Sequence, residues 1–291
     1  MKKPLLILIA LIFLSNNKIF SQYTEIINSN RPGASQSAFS VGSNVIQLET
    51  GMFLLNQEHE LLENEVKGVG LNFMVRYGLL LEELELNING IYQNDKFTDM
   101  RSTIDSEYNR SNFKKLKFGA KYLVYDPYKN KDDSPNLYSY WANQKFDWSS
   151  LIPAVSVYAG INVDFKNNPF TAPGIEGVSP SFMVATQNNF ENNFVLITNL
   201  ILDRIGTDQN DFEYIVTLTY AFNNNWVSFI ETHGISSDFY ADNLLELGAA
   251  YLFNKNFQLD SSLIFNFKDT PKIFYFNFGA SYRFDFHEDK E

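Results

Sequence analysis

The chain of 291 residues carries three histidines, His59, His233 and His287, and no cysteine. These residues bound the chemistry available to it. Without Cys there is no thiol nucleophile, disulfide, thiolate metal site or lipid-modified cysteine. Hydrolytic chemistry needs a nucleophile or an activated water beside a general base, most often His. His287 lies in the last residues, and His59 sits in an acidic stretch with no serine motif nearby. Only His233, close to Ser236, Ser237 and Asp238, offers a catalytic arrangement. No metal-ligand spacing is present, and the 15 glycines are scattered rather than gathered in a phosphate-binding loop. The sequence thus predicts a protein that is not an enzyme, with no catalytic residue, no metal and no cofactor.

Charge set between apolar residues at every second position is the commoner pattern. Glu85 stands between Leu84 and Leu86, Lys117 between Leu116 and Phe118, and Glu213 between Phe212 and Tyr214. Arg76, Lys121, Glu246 and Arg283 are placed likewise, Glu49, Lys115 and Asp260 fall on the same polar faces with one apolar neighbour each, and Glu231 lies near the centre of the 226–234 stretch. A period of two is the signature of β-strands with unlike faces. The apolar faces carry no charge: Phe274, Phe276, Phe278, Ala280, Tyr282 and Phe284 form one. Lys115, Lys117 and Lys121 form a basic ladder, which neighbouring Glu85 and Glu49 could neutralise or an anionic solute could meet.

Twelve such stretches are readable between residues 45 and 286. Several clean faces run nine to eleven residues, and a tilted strand crosses a bilayer in about 9–11. Apolar outside and polar inside is the pattern of a transmembrane barrel. Alternation also fits a soluble sandwich, but connection lengths favour the barrel. Residues 55–68, 93–112, 164–178, 203–211, 234–242 and 266–272 read as long polar loops. Residues 78–83, 188–193, 223–225 and 254–256 read as short turns. Outer-membrane barrels place long loops outside and short turns in the periplasm. A cassette recurs beside the short side: Gly119-Ala120-Lys121-Tyr122, Gly248-Ala249-Ala250-Tyr251 and Gly279-Ala280-Ser281-Tyr282. Its aromatic residues would form an interfacial girdle. The expected fold is all-β, an antiparallel up-and-down transmembrane barrel of twelve strands with both termini in the periplasm. The connection 125–152 is far longer than its side of the barrel predicts.

Composition agrees. A net charge of −11 disfavours nucleic acid. With 27 Phe and 16 Tyr, aromatics reach 16% while charged residues reach only 20%, which excludes a disordered chain and favours strands. Residues 1–21 combine a basic start, an apolar run over 5–14 and a polar end. That is the layout of a cleaved signal peptide, with the cut near Ser21 and Gln22. Residues 22–44 form an N-terminal arm, 45–286 the barrel and 287–291 a tail.

Asn30-Arg31-Pro32-Gly33 with Ser35-Gln36-Ser37, followed by Gln47-Leu48-Glu49-Thr50-Gly51, resembles the opening of bacterial outer-membrane barrels of the phenol-degradation (meta-pathway) transporter family. Asn30 stands where that family commonly has Asp. The stretches Asn256-Phe257-Gln258-Leu259-Asp260 and Phe278-Gly279-Ala280-Ser281-Tyr282-Arg283-Phe284 resemble its end. The leader end and the Asn-, Lys- and Phe-rich composition look like a Bacteroidetes-type source. The resemblance implies a twelve-stranded outer-membrane barrel of unnamed cargo, and the barrel with its polar lumen is read as passing small solutes passively. Selectivity would be set by the mixed-charge lumen. Its partners would be outer-membrane lipid, the barrel-assembly machinery and an unidentified small solute. The arm itself is polar and turn-rich, which leaves two readings: a small plug folded into the lumen, with Arg31 pairing with an inward carboxylate such as Glu49, Glu85, Glu231 or Glu246, or a disordered periplasmic tail. Two further readings stay open: a non-conducting structural barrel and an outer-membrane hydrolase.

Overall fold

The computed structural model describes residues 26–129, 148–190, 193–238, 240–268 and 270–287. The leader, the cleavage site, most of the 125–152 connection and residues 288–291 lie outside them. Twelve strands follow in order: β1 (Val45–His59), β2 (Asn64–Gly78), β3 (Leu84–Asp99), β4 (Ser106–Tyr125), β5 (Ala154–Asp164), β6 (Gly177–Phe190), β7 (Phe194–Asp203), β8 (Asp211–Ala221), β9 (Trp226–Ser236), β10 (Ala241–Asn254), β11 (Phe257–Asn266) and β12 (Lys272–Asp285). Each pairs antiparallel with its sequence neighbours, and β1 closes on β12 from Val45↔Asp285 to Glu58↔Lys272. Closure gives every strand a partner on both sides, the condition for a sheet surrounded by lipid.

Side chains sort by parity. On β1, Gln47, Glu49, Phe53 and Leu55 are buried while Leu48, Met52 and Leu54 are exposed. Arg76, Glu85, Lys121 and Arg283 are among the largest fully buried side chains, whereas Ile230, Leu247, Leu263, Phe276 and Phe278 face outward. This inverts the ordering of a soluble domain: an apolar surface meets lipid around a charged interior.

The short turns stand as read, at 79–83, 191–193, 222–225 and 255–256. Three of the long connections do not, and 234–242 leaves only 237–240 between β9 and β10. Residues 55–68 and 93–112 were expected as loops, yet β1, β2, β3 and β4 run on to leave only 60–63 and 100–105 between them. Cross-strand contacts sustain these extensions although their residues are polar: Phe97 stacks on Tyr108 at 5.0 Å, and Arg110 binds Asp95 at 2.8 Å. The upper part of β4 has no ladder to β5, whose pairing begins at Lys117. The β5–β6 connection covers that edge, with Asn168 Nδ2 donating to the Phe113 carbonyl at 2.7 Å.

At the short-turn end the aromatics touch in a chain. Phe194, Tyr220 and Phe222 form one run, and Trp226, Tyr251, Phe253, Phe257, Tyr282 and Phe284 another. Amphipathic rings of this kind belong at a membrane interface. Leu247 lies on the lipid face, opposite Ile230 and Leu263. Leu247→Arg is expected to cost about 2–4 kcal/mol in urea titrations of vesicle-embedded protein; an unchanged midpoint would contradict the lipid-facing assignment.

Candidate functional site

Residues 26–44 lie inside the barrel. This stretch is rich in Asn, Ser and Gly and forms no strand or helix, so its backbone groups need partners other than its own. The inward side chains of the strands supply them. Glu231 on β9 accepts the Ala34 and Ser35 N–H groups at 2.9 and 3.2 Å. Asn199 on β7 accepts the Gln36 N–H at 2.6 Å and donates to its carbonyl at 2.9 Å. Lys121 on β4 donates to the Ser37 and Phe39 carbonyls at 2.9 and 3.0 Å. Arg76 on β2 donates to the Asn28 and Phe39 carbonyls at 2.7 and 3.3 Å. Glu49 and Glu85 accept the Asn30 and Val41 N–H groups, each at 3.1 Å.

Arg31 sits at the inner end of this segment. Its Nη2 and Nε hold Asp260 on β11 at 2.8 and 3.2 Å, and its Nη1 donates to Asn72. Gly51 and Gly279, paired across β1 and β12, make the slot; a Cβ at either would collide with the guanidinium. The partner differs from those expected. Arg76 already binds Glu49 and Glu85 at 3.2 and 2.8 Å. Glu231 is taken by the segment backbone and the Thr217 hydroxyl, and Glu246 by the Ser262 hydroxyl. Asp260 is the carboxylate left within reach.

The lysine ladder divides. Lys121 meets Glu85 at 3.4 Å, as cross-strand neutralisation predicts. Lys115 and Lys117 instead cross the lumen, away from Glu85 and Glu49. Lys117 binds Asp203 on β7 at 2.7 Å, and Lys115 lies 3.5 Å from both Asp203 and Glu213. Glu213 also meets His233 Nε2 at 2.9 Å, so that imidazole engages Glu213 rather than Ser236 or Asp238. Arg283 binds Asp285 at 3.0 Å.

Over the segment lies a cavity of about 270 Å³, floored by residues that include Arg31, Gly33 and Gln36. Its walls are largely apolar. Tyr158, Met183, Ile201 and Ile215 cluster on β5–β8, and Phe53, Ile91 and Tyr275 line the opposite side. Sequence reasoning missed these inward apolar residues because the same residue types also fill the outer faces. It missed Asp203 too, although parity from Asn199 through Ile201 points it inward. Lys114 was beyond reach of parity altogether. β4 carries one extra residue opposite Ile91 and Tyr92, and Lys114 is that residue.

A closed twelve-stranded barrel, apolar outside and charged within, is a transmembrane β-barrel. The chain belongs to the family described as "Putative MetA-pathway of phenol degradation", whose profile matches residues 29–284. Among solved structures it is similar to an outer membrane channel from Pseudomonas putida F1, at 11% identity, covering 89% of this chain and 100% of that one, with a TM-score of 0.52. The transport unit of the autotransporter AIDA-I from Escherichia coli is similar at 10% identity, covering 89% and 93%, with a TM-score of 0.49. At 11% identity the likeness to the Pseudomonas putida channel is one of fold. No curated protein matches the sequence.

Arg76 is the cation common to Glu49, Glu85 and two segment carbonyls. Arg76→Met removes the cation from buried Glu49 and leaves buried Glu85 with Lys121 alone, and is expected to cost about 3–5 kcal/mol in denaturant unfolding. A loss below about 1 kcal/mol, the scale of an exposed pair, would contradict that role.

Proposed function

We propose that the protein is an outer-membrane channel for small solutes, exported by a cleaved signal peptide and closed by its own N-terminal segment. The observation that carries this reading is the segment's place: residues 26–44 fill the short-turn half of the lumen, under a cavity lined by Lys115, Glu213 and Glu246. A segment held mainly by single side-chain-to-backbone bonds, without regular structure of its own, is separable from the wall in a way that a strand is not. The lumen charges, Glu49, Arg76, Glu85, Lys115, Lys117, Lys121, Glu213, Glu231, Glu246, Asp260 and Arg283, would set the ion preference once the segment withdraws.

A non-conducting structural barrel is the second reading, favoured by the density of ion pairs within the lumen. A catalytic reading has less support, because His233 is engaged by Glu213. Planar-bilayer recording separates the first two. Protein lacking residues 26–41 should conduct several-fold more than the full chain, and Gly279→Leu, which evicts Arg31, should conduct at an intermediate level. Equal conductance in all three would remove the closing role of the segment. Silence in all three, with the barrel shown folded and inserted, would support the structural reading.

A further inference from the structure

We propose that the cavity binds a small carboxylate with an apolar body, and that Lys114 is its charged contact. This deepens the channel reading by naming a solute class for the same lumen.

The bulge in β4 is the first observation. In a regular strand Lys114 would point opposite to Lys115, into lipid. The extra residue breaks the parity, as bulges beside functional sites do, and the side chain turns inward. Its Nζ lies 6.0 Å from the ring of Tyr275, on a strand that is not a neighbour of β4. The side chain therefore reaches into the cavity rather than along the wall.

Its lack of a carboxylate is the second. Lys115 and Lys117 share Asp203 and Glu213, and Arg31 holds Asp260. Among the described residues Lys114 has no ion pair and no hydrogen bond. The upper cavity thus sets three lysines against two carboxylates, with His233 already on Glu213. Glu246 also lines the cavity, but it pairs across from Glu231, at the level of the segment, and Ser262 donates to it at 2.6 Å. One ammonium, on an exposed side chain at the mouth of the chamber, is left without a carboxylate of its own, inside a protein whose net charge is −11.

Chemistry selects the occupant. The apolar walls of Tyr158, Met183, Ile201 and Ile215 favour an apolar body. A cation would gain nothing from the Lys114 ammonium, and a dianion would bury a second charge without a partner. A monocarboxylate gains a charge-assisted hydrogen bond from the ammonium. At about 270 Å³ the chamber falls just below the roughly 300 Å³ at which pockets take drug-sized ligands, so the solute is smaller than that.

Titration calorimetry on the full chain in detergent tests this, with benzoate, its neutral analogue benzamide, and acetate. Benzoate should bind about tenfold or more tightly than either of the others. Lys114→Gln should remove most of that preference while leaving benzamide unchanged, and Lys114→Arg should retain it. Benzoate binding that is absent, equal to that of benzamide or indifferent to Lys114→Gln would overturn the proposal. Binding and conduction fail separately. A silent bilayer with benzoate bound contradicts only the channel, and a conducting pore that ignores benzoate contradicts only this site.

Discussion

Charge buried in a narrow barrel must be neutralised by opposite charge or by backbone dipoles, because lipid lies on one side of the wall and little water on the other. Arg76 meets this constraint most fully. It binds Glu49 and Glu85 and caps two carbonyls of the N-terminal segment. The strands and the segment are therefore mutually dependent: the wall carries charges that the segment helps to satisfy, and the segment, with no ladder of its own, is fixed by those charges. Lys121, Glu231 and Asn199 repeat the arrangement at other points of the circumference.

The same constraint divides the lumen by height. Toward the short turns, charges turn to the segment and the space is filled. Higher up, Lys115, Lys117, Asp203 and Glu213 satisfy one another across the lumen, which frees the walls between them to be apolar. A chamber of mixed character results, distinct both from the water-filled lumen of a wide porin and from a fully packed barrel.

The fold was legible because two periodicities agreed. Alternation assigned faces, and connection length assigned ends, although 60–63 and 237–240 on the long-loop side are no longer than the 79–83 turn. It failed where polar strands leave the membrane: around His59, Asn64, Asp99 and Ser106 there is no lipid to demand an apolar face, so strand and loop look alike in sequence. The site was legible in kind but not in pairing. Parity put Glu49, Arg76, Glu85, Glu213 and Asp260 inside, since any charge on the other face would meet lipid. Which carboxylate receives Arg31 depends on which are already occupied, and that is settled by the closed circle of twelve strands rather than by local spacing. Lys114 shows the limit most clearly, because one inserted residue reverses its face and leaves no mark in the alternation on either side.

The account turns on the segment being held in the lumen and closing it. Ser29 Oγ lies 2.7 Å from Ser281 Oγ on β12, and the chain has no native cysteine. Ser29→Cys with Ser281→Cys therefore places a near-isosteric thiol pair between segment and wall, within range of disulfide formation. Bilayer conductance of this double variant, before and after reduction, is the most direct measurement. The account predicts that the disulfide forms, that the oxidised protein is closed, and that reduction restores the conductance of the unsubstituted chain. Failure to form the disulfide, or equal conductance in both states of a chain that conducts, would contradict it.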